Sequence, residues 1–264
     1  MLRPRVSPCL LVHKGGLVKT ERFAKPKYVG DPINAVRIFN DKEVDEIIVL
    51  DIDATVDGRK PDYELIRRLA AECRMPLCYG GGVSAKEDFE RIVALGVEKV
   101  AVGAACVTDP DLISLAAAVV GSQSVVAVAD VRLQAKTGLR TVVTHNGQVD
   151  SGIELKDFAQ RMRSRGAGEL LINSVDRDGT MKGYDLDLIA DVRKSVDCPI
   201  TALGGAGSLK DIGDVIARFG ILGVSAGSLF VFKGVYRAVL INYPKRAELE
   251  SMTFAALQRA GVLS

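Results

Sequence analysis

The stretch Ile200-Thr201-Ala202-Leu203-Gly204-Gly205-Ala206-Gly207 is a short apolar run that ends in a cluster of glycines. A similar run, Tyr79-Gly80-Gly81-Gly82, lies nearly half of the 264 residues earlier in the chain. The same offset relates Val100-Ala101-Val102-Gly103-Ala104 to Val224-Ser225-Ala226-Gly227-Ser228. A repeat of this length predicts two halves that are built from the same supersecondary units.

Short apolar runs alternate with amphipathic segments along the whole chain. Eight of the runs are apolar on both faces, as strands of a covered parallel sheet must be; they are residues 6–12, 46–52, 76–79, 99–102, 124–129, 169–173, 200–203 and 223–226. Helix-start patterns follow several of them, including Asp31-Pro32, Ser84-Ala85-Lys86-Glu87, Asp109-Pro110 and Ser208. The segments 13–30 and 131–150 are expected to be loops.

Strands that alternate with helices predict right-handed βαβ units. Eight such units favour a single closed (β/α)8 TIM barrel over an open doubly wound sheet. The internal repeat predicts two half-barrels, about residues 1–122 and 123–245, within one domain that spans residues 1–264. A helical tail is expected over residues 246–264.

Composition excludes several classes of function. A net charge of +2 and the absence of Trp argue against nucleic acid or a membrane surface as a partner. No apolar run approaches the roughly 18 residues of a membrane-spanning helix, and the start of the chain does not resemble a signal peptide. The five cysteines lack CxxC spacing, and there are only two histidines, so we expect reduced cysteines, no metal site and a cytoplasmic protein.

The carboxyl ends of barrel strands are where a site is expected, and both glycine clusters fall there. Backbone N–H groups at a glycine-rich helix start can bind an anion, so the two clusters predict two phosphate groups. The alternative is that these glycines only permit tight turns between strand and helix. Ser228 adds a hydroxyl to the second cluster, whereas the matching positions Gly103 and Ala104 add none. The second anion site is therefore favoured.

Acidic residues at strand ends are the candidates for proton transfer. Asp130 follows an apolar strand, so partial desolvation should raise its pKa toward the range of a general acid or base. A capping role in the loop is the alternative for Asp130. For Asp176 and Asp178, salt bridges and helix capping compete evenly with catalysis. His13 and His145 are expected to be solvated loop residues.

The chain resembles the cyclase subunit of imidazole glycerol phosphate synthase over about residues 1–245. The stretches that carry the resemblance are Pro8-Cys9-Leu10, Val18-Lys19, Gly30-Asp31-Pro32, Leu50-Asp51-Ile52, Gly80-Gly81-Gly82, Gly121-Ser122-Gln123, Asp176-Arg177-Asp178-Gly179-Thr180, Gly183-Tyr184-Asp185 and Gly204-Gly205-Ala206-Gly207. Gly-Ser-Gln and Asp-Arg-Asp-Gly-Thr are the specific ones. The resemblance implies that the barrel docks on a class I glutaminase by its N-terminal face and needs no cofactor. It also implies that ammonia travels through the barrel to a nucleotide at the top.

Two aspartates act as acid and base in that family, on the first and fifth strands. The resemblance assigns the fifth-strand role to Asp130, with Asp178 supporting it and Lys19 in a mobile first loop. The first-strand position holds Leu11, which is a departure from the family. Loss of one of two cooperating proton-transfer groups costs about 10²–10⁴-fold in rate.

The two phosphate sites are expected to differ, because this chain departs from the family's residues at one of them. The residues that match the family's two phosphate sites are Gly179, Gly204, Gly205, Gly227 and Ser228 on one side, and Gly81, Gly82 and Gly103 on the other. The family's Asn-Thr pair is replaced by Gly103-Ala104, and a threonine at the end of strand six is replaced by Asn173. One phosphate end is thus predicted to be intact and the other stripped of side-chain donors.

The resemblance also implies a ring of charges that gates ammonia entry at the bottom of the barrel: Arg5, Glu46, Lys99 and Glu169. The alternative is that these paired charges merely plug the barrel mouth.

The first thirty residues, including Leu10-Leu11-Val12 and Lys27-Tyr28-Val29-Gly30-Asp31-Pro32, are more similar to a paralogous group. Those barrels accompany a glutaminase and a separate amidotransferase in surface-sugar biosynthesis. We therefore expect an ammonia-handling barrel subunit of a glutamine-dependent amidotransferase, with a phosphorylated or sugar acceptor and weakened cyclase chemistry. The alternatives are an authentic cyclase of histidine biosynthesis, with lyase activity, and a scaffold that activates the glutaminase without conducting ammonia.

Overall fold

Alternating apolar runs form strands and helices throughout a computed structural model of the chain, which describes residues 3–263. The strands are β1 (Arg5–His13), β2 (Gly16–Glu21), β3 (Ala24–Gly30), β4 (Ile47–Asp51), β5 (Leu77–Gly80), β6 (Lys99–Val102), β7 (Val125–Leu133), β8 (Arg140–Thr144), β9 (Val149–Glu154), β10 (Glu169–Ser174), β11 (Ile200–Leu203), β12 (Gly223–Ala226), β13 (Phe232–Lys233) and β14 (Ala238–Val239). The helices are α1 (Pro32–Asp41), α2 (Tyr63–Glu72), α3 (Lys86–Ala94), α4 (Ala104–Thr108), α5 (Asp111–Val120), α6 (Leu155–Ser164), α7 (Leu186–Ser195), α8 (Leu209–Phe219), α9 (Ser228–Val231) and α10 (Arg246–Arg259). A 3₁₀ turn covers Ser122–Ser124.

Eight strands pair in parallel around a closed circle, in the order β1, β4, β5, β6, β7, β10, β11, β12 and back to β1. These are the eight strands that the apolar runs predict, so the predicted (β/α)8 barrel is confirmed. The division into half-barrels remains a prediction. No helix within residues 3–263 is both long and apolar enough to cross a membrane.

Alternation of side chains along each strand separates two apolar cores. One core fills the barrel interior and contains Cys9, Ile48, Cys78, Ala101, Val126, Val128, Leu171 and Leu203. The intervening residues of the same strands, such as Leu10 and Val49, pack outward into the larger core beneath the helices. Whether a residue occupies an odd or an even position along its strand, which we call its parity, therefore decides whether its side chain points into the barrel interior.

Both segments expected to be loops fold instead as β-hairpins that extend barrel strands beyond the barrel. β2 and β3 continue from β1 across a tight turn in which Lys14 and Gly15 have φ of 49° and 77°. Positive φ at both central residues is the signature of a type I′ hairpin turn. β8 and β9 extend β7 in the same way. The sequence concealed these strands because polar residues, including Lys19 and Thr20, occupy buried positions in them.

Two helix starts differ from the predicted ones by one or two residues. The Ser84 side chain does not cap α3; the Asp88 carboxylate accepts hydrogen bonds from the backbone N–H groups of Ser84 and Ala85, both at 2.9 Å. α5 begins at Asp111, one residue after the predicted Asp109-Pro110 start, with Asp109 accepting from the Asp111 N–H. The predicted caps at Asp31 and Ser208 are confirmed.

Replacing Asp88 by Ala should lower the free energy of unfolding by about 2 kcal/mol. The change removes the acceptor for two backbone N–H groups and for the Tyr63 hydroxyl, which lies 2.7 Å from Asp88 Oδ1. Urea unfolding followed by circular dichroism measures the loss. Asp157→Ala, at an exposed position in the first turn of α6, is the control and should change stability by less than about 0.5 kcal/mol. Equal effects of the two variants would contradict the capping role.

Candidate functional site

A cavity opens at the carboxyl ends of the barrel strands. It receives Leu11 from β1, Leu50 from β4 and Asp130 from β7. Asn173, Leu203 and Ala226 enter it from β10, β11 and β12. The cavity is also lined by Cys9, Lys19, Thr20, Phe23, Ile52, Asn146, Asp178, Gly179, Gly204, Gly205, Ala206, Gly227 and Ser228. Side chains from β5 and β6 do not line it among the described residues, so the cavity is off-centre.

Asp130 faces this cavity, as the sequence predicted for a residue at the end of an apolar strand. Desolvation raises its pKa to about 6, although the Asn173 amide, which donates to Asp130 Oδ1 at 3.0 Å, lowers it. A carboxyl with that pKa can hold or release a proton near neutral pH. Leu11, which lines the same cavity, presents only an apolar side chain in place of a second carboxyl.

Lys19 is buried, with 5% of its surface exposed, because the β2–β3 hairpin folds over the cavity. Its Nζ donates to the Cys9 carbonyl and lies beside Gly227, where a Cβ would be 2.6 Å from Nζ. Burial lowers the pKa of the Lys19 ammonium. The hairpin thus delivers a cation to the end of the cavity where the second glycine cluster lies.

Asp178 holds the hairpin in place. Its carboxylate accepts a hydrogen bond from the Thr20 hydroxyl at 2.9 Å, and its carbonyl accepts from the Arg22 N–H at 2.9 Å. Burial raises the pKa of the Asp178 carboxyl. At Gly179 the hairpin backbone comes so close that a Cβ would collide with the Thr20 carbonyl. Asp178 and Gly179 therefore position Lys19 over the cavity.

The two glycine clusters have different surroundings. Gly204 and Gly205 line the cavity with φ of 95° and 110°, and they precede α8, while Ser228 is buried at the start of α9. Gly81 and Gly82 lie outside the cavity, packed against backbone: a Cβ at Gly81 would collide with the Asp51 carbonyl, and one at Gly82 would be 2.6 Å from the Arg59 carbonyl. Close backbone packing is thus a sufficient reason for glycine at these two positions.

Gly103 follows β6 and precedes α4, and its nearest neighbours belong to Val128. The residues predicted for the second phosphate site therefore converge on the cavity with Lys19. Those predicted for the first site do not.

Both histidines have side-chain hydrogen-bond partners, whereas the sequence predicted solvated loop residues. His13 Nδ1 lies 2.7 Å from Asp53 Oδ1, and His13 is half-buried rather than solvated. His145 Nδ1 lies 3.0 Å from the Thr144 hydroxyl. Asp176 accepts from the Leu133 N–H at 2.9 Å, which links the segment after β10 to the end of β7.

Sequence reasoning missed Thr20, Phe23 and Asn146, all of which line the cavity. They belong to the segments that were expected to be loops. In the first of these segments, the glycine of the Lys14-Gly15 turn was the only local signal that could have predicted a β-hairpin.

The opposite end of the barrel carries a closed ring of ion pairs. Arg5 lies 3.1 Å from Glu46 and 2.9 Å from Glu169, and Lys99 lies 2.9 Å from each of the same carboxylates. The Thr201 hydroxyl also donates to Glu169. The predicted four-residue ring is thus assembled at the N-terminal edge of the strands, with each charge touching two opposite charges.

Burial and pairing compete within this ring. Burial raises the pKa of Glu46 more strongly than Lys99 and Arg5 lower it. For Glu169, burial raises the pKa, but Lys99, Arg5 and the Thr201 hydroxyl outweigh it, and the pKa is lowered. Thr201 and Arg5 both donate hydrogen bonds to Glu169 and not to Glu46.

The fold and the site together define an enzyme-type (β/α)8 barrel, with a ligand-sized cavity at the carboxyl end of its strands and a charged ring at the other end. A family model described as "Histidine biosynthesis protein" matches residues 5–237. The chain belongs to that family and, within it, to the cyclase-type subunits of imidazole glycerol phosphate synthase.

Relatives match along nearly the whole chain. A Leptospira interrogans protein named "Putative imidazole glycerol phosphate synthase subunit HisF" is 51% identical over 96% of this chain and 100% of its own length. A Pseudomonas aeruginosa protein named "Putative imidazole glycerol phosphate synthase subunit hisF2" is 50% identical over 95% and 99%. A Limosilactobacillus fermentum protein named imidazole glycerol phosphate synthase subunit HisF is 38% identical over 88% and 89%.

Replacing Lys99 by Met should lower the free energy of unfolding by about 3 kcal/mol at neutral pH, because Glu46 and Glu169 are then left with one cation, Arg5. The loss should shrink as the pH falls toward about 4, since protonated carboxyls no longer need the lysine. Urea unfolding at several pH values measures both effects.

Two further variants test the origin of that loss. Lys86→Met, at an exposed position in α3, should be nearly neutral. Adding Glu46→Gln to Lys99→Met should recover part of the stability, because only one carboxylate then remains. A Lys99→Met variant as stable as Lys86→Met would mean that the ring contributes nothing to folding.

Proposed function

We propose that this barrel is the ammonia-receiving subunit of a glutamine-dependent amidotransferase, with cyclase chemistry that is weakened or lost. A class I glutaminase docks on the N-terminal face, and ammonia enters through the ring formed by Arg5, Glu46, Lys99 and Glu169. It travels through the barrel interior and reaches the cavity at the top. There it meets a phosphorylated or sugar acceptor, or passes to a third, ligase-type protein.

One observation carries this proposal: the ring is complete while the first-strand position of the cavity holds no acid-base carboxyl. All four ring charges are paired within 3.1 Å. At the other end, Asp130 faces a cavity in which the first-strand position is the apolar Leu11. A barrel selected only for cyclisation needs both carboxyls, whereas a barrel that passes ammonia on needs the ring.

The interior between the two ends favours passage of a small neutral molecule. Its lining is mainly apolar, with the small side chains of Cys9, Cys78 and Ala101 among the larger ones. An apolar lining excludes ions by the cost of desolvation, and it admits ammonia far more readily than ammonium. The ring is then the place where ammonium would be held back and neutral ammonia released inward.

The acceptor is proposed to bind through one phosphate group at the second glycine cluster. Gly204 and Gly205 lie there with the buried Ser228, and Lys19 supplies a positive charge beside Gly227. Backbone N–H groups, a hydroxyl and an ammonium are the donors that phosphate prefers.

The names of the relatives support a paralogue. The Pseudomonas aeruginosa protein carries the numbered name hisF2, which suits an additional copy rather than the sole histidine-pathway subunit. The second candidate function, an authentic cyclase of histidine biosynthesis, is favoured by the name of the 38% identical Limosilactobacillus fermentum protein. Purified barrel incubated with ammonium and the histidine-pathway nucleotide separates the two: robust turnover would establish the second function.

Leu11→Asp should raise cyclase turnover of the histidine-pathway nucleotide by about 10²-fold or more, because it restores a second proton-transfer group beside Asp130. Product formation from ammonium and the nucleotide, followed by absorbance, measures the gain. Leu11→Asn is the matched control and should gain nothing, since it adds polarity without a titratable proton. If Leu11→Asp remains as inactive as Leu11→Asn, the loss of the carboxyl is not what separates this chain from a cyclase.

Arg5→Ala, made in the Leu11→Asp background, should reduce the product formed from glutamine without reducing the product formed from added ammonium. With the glutaminase bound, glutamine hydrolysis should continue while glutamine-driven product falls several-fold, because an open ring lets ammonia escape. Product formed from added ammonium should be unchanged. Arg3→Ala, at an exposed arginine on the same face that pairs with Asp45 rather than the ring, is the control. Unchanged glutamine-driven product in Arg5→Ala would contradict ammonia entry through the ring, and glutamine hydrolysis that is uncoupled from product already with Arg5 present would favour the non-conducting scaffold.

A further inference from the structure

The β13–β14 hairpin (residues 232–239) lies against the β2–β3 hairpin, which covers the cavity. On β3, the Lys27 ammonium donates to the Arg237 carbonyl at 3.0 Å, and it lies 5.0 Å from the centre of the Phe232 ring. At the end of β2, Glu21 Oε2 lies 3.4 Å from Arg237 Nη1. Both strands of the covering hairpin therefore contact one residue, Arg237.

Arg237 also contacts the wall of the cavity. Its Nη2 donates to the Gly179 carbonyl at 3.0 Å, and Gly179 is one of the residues that line the cavity. A guanidinium presents its donors in a rigid planar fork, so one side chain can hold acceptors on two different segments. Arg237 thus joins the covering hairpin to the loop that follows β10.

The tip of the β13–β14 hairpin is a turn in which the Arg237 N–H donates to the Gly234 carbonyl at 3.1 Å. Arg237 has a φ of 48°, in the left-handed region that residues with a side chain seldom occupy. Val235 and Tyr236 are each 95% exposed, so Arg237 is the tip residue that contacts the rest of the described chain. A strained backbone at the one residue that makes these contacts points to a role beyond the turn.

The base of the β13–β14 hairpin is fixed to the barrel. Phe232 is buried, and the Leu240 N–H donates to the Val231 carbonyl at 3.0 Å. The hairpin follows directly on α9, the helix that begins at Ser228. Arg237 is therefore carried by a support that does not depend on the covering hairpin.

We propose that Arg237 is a positioning residue that holds the covering hairpin closed, and that it thereby controls how fast a phosphate-bearing anion enters and leaves the cavity. Asp178 holds the same hairpin at the buried Thr20, whereas Arg237 holds it at the half-exposed Glu21. Lys19 lies on the same strand, two residues before Glu21. Release of Arg237 favours a hairpin that opens and carries the Lys19 ammonium away from the cavity.

This role goes beyond the proposed function and rests on it only for the anion that binds. Among the described residues, those that line the cavity do not include Arg237. Its effect on a ligand is therefore exerted through the covering hairpin and not by contact. Opening of the hairpin can be measured in the full chain without glutaminase, ammonia or acceptor.

Alkylation of Cys9 by iodoacetamide measures that opening, because Cys9 lines the cavity, is 2% exposed and accepts a hydrogen bond from Lys19 through its carbonyl. Peptide mass spectrometry separates Cys9 from the other four cysteines. Arg237→Ala should raise the rate at Cys9 about tenfold, because the closed hairpin loses a hydrogen bond from a charged donor and an ion pair. Cys106, buried in the core beneath the helices, should keep its rate because it reports global unfolding.

Lys233→Ala is the matched control, because Lys233 is an exposed cation on the same hairpin. It should leave the rate at Cys9 as in the wild type. Equal rates at Cys9 in Arg237→Ala and Lys233→Ala would overturn the proposal. A parallel rise at Cys106 in Arg237→Ala would also overturn it, since the effect would then be a loss of global stability.

Should Arg237→Ala fail to fold, Arg237→Gly replaces it in every measurement, with the same expected and contradicting results. Glycine adopts the left-handed backbone at this position without strain, and it removes the guanidinium equally.

Inorganic phosphate, followed by exchange broadening of its ³¹P NMR signal, tests the effect on an anion. In Arg237→Ala the rates of binding and release should both rise about tenfold. The dissociation constant should change by less than about twofold, because a tenfold rise of a small open fraction leaves the closed form dominant. A dissociation constant raised tenfold with an unchanged rate of binding would overturn the proposal, since Arg237 would then build the site and not control entry.

Failure of this proposal is distinguishable from failure of the proposed function. Wild-type protein that binds no phosphate, while Cys9 responds to Arg237→Ala as expected, would refute the phosphate site and support the closing role of Arg237. Phosphate binding with no response of Cys9 to Arg237→Ala would do the reverse.

Discussion

Closure of the barrel places every second residue of each strand in a single interior, and the rest of the molecule depends on that constraint. Arg5, Cys9 and Leu11 have the same parity on β1, so the ring, the apolar middle and the cavity share one face of one strand. Glu169, Leu171 and Asn173 repeat the pattern on β10. A shift of one residue in either strand would exchange the interior with the core beneath the helices. Chemistry at the top and charge at the bottom are therefore positioned by the same register.

The interior changes in character along its axis, and each part is stabilised differently. At the bottom, two buried carboxylates and two half-buried cations satisfy one another, so that removal of any one leaves two like charges with a single partner. In the middle, apolar packing dominates, and the buried Ser225 hydroxyl is satisfied by the Ser7 carbonyl. At the top, Asp130 and Asn173 satisfy each other only partly, and the buried Asn173 carbonyl has no donor among residues 3–263. Incomplete satisfaction at one end of an otherwise well-satisfied structure is typical of a functional site.

The sequence was sufficient for the barrel because its strands are apolar in both parities, as in any covered parallel sheet, and because there are eight of them. It was also sufficient for Asp130, which stands at the end of an apolar strand. It was not sufficient for the β2–β3 hairpin, in which Lys19 and Thr20 are buried against loops distant in sequence. Nor could it distinguish two uses of glycine: Gly204 and Gly205 line a cavity, whereas Gly81 and Gly82 make room for the backbone of Asp51 and Arg59. The hairpin and the two uses of glycine both depend on contacts between residues far apart in sequence, which form only in the folded barrel.

The β2–β3 hairpin affects both entry to the cavity and the positive charge inside it, because it carries Lys19. Within the part of the chain that the structure describes, Lys19 is the only lysine or arginine that lines the cavity. It arrives on the element that covers the opening and is tied down by Thr20 and Arg22. Lifting the hairpin to admit a molecule would therefore also withdraw the cation and expose the carboxyls to water. An anionic molecule would be attracted most strongly to Lys19 when the hairpin is closed. Binding of the anion would therefore itself favour the closed position of the hairpin.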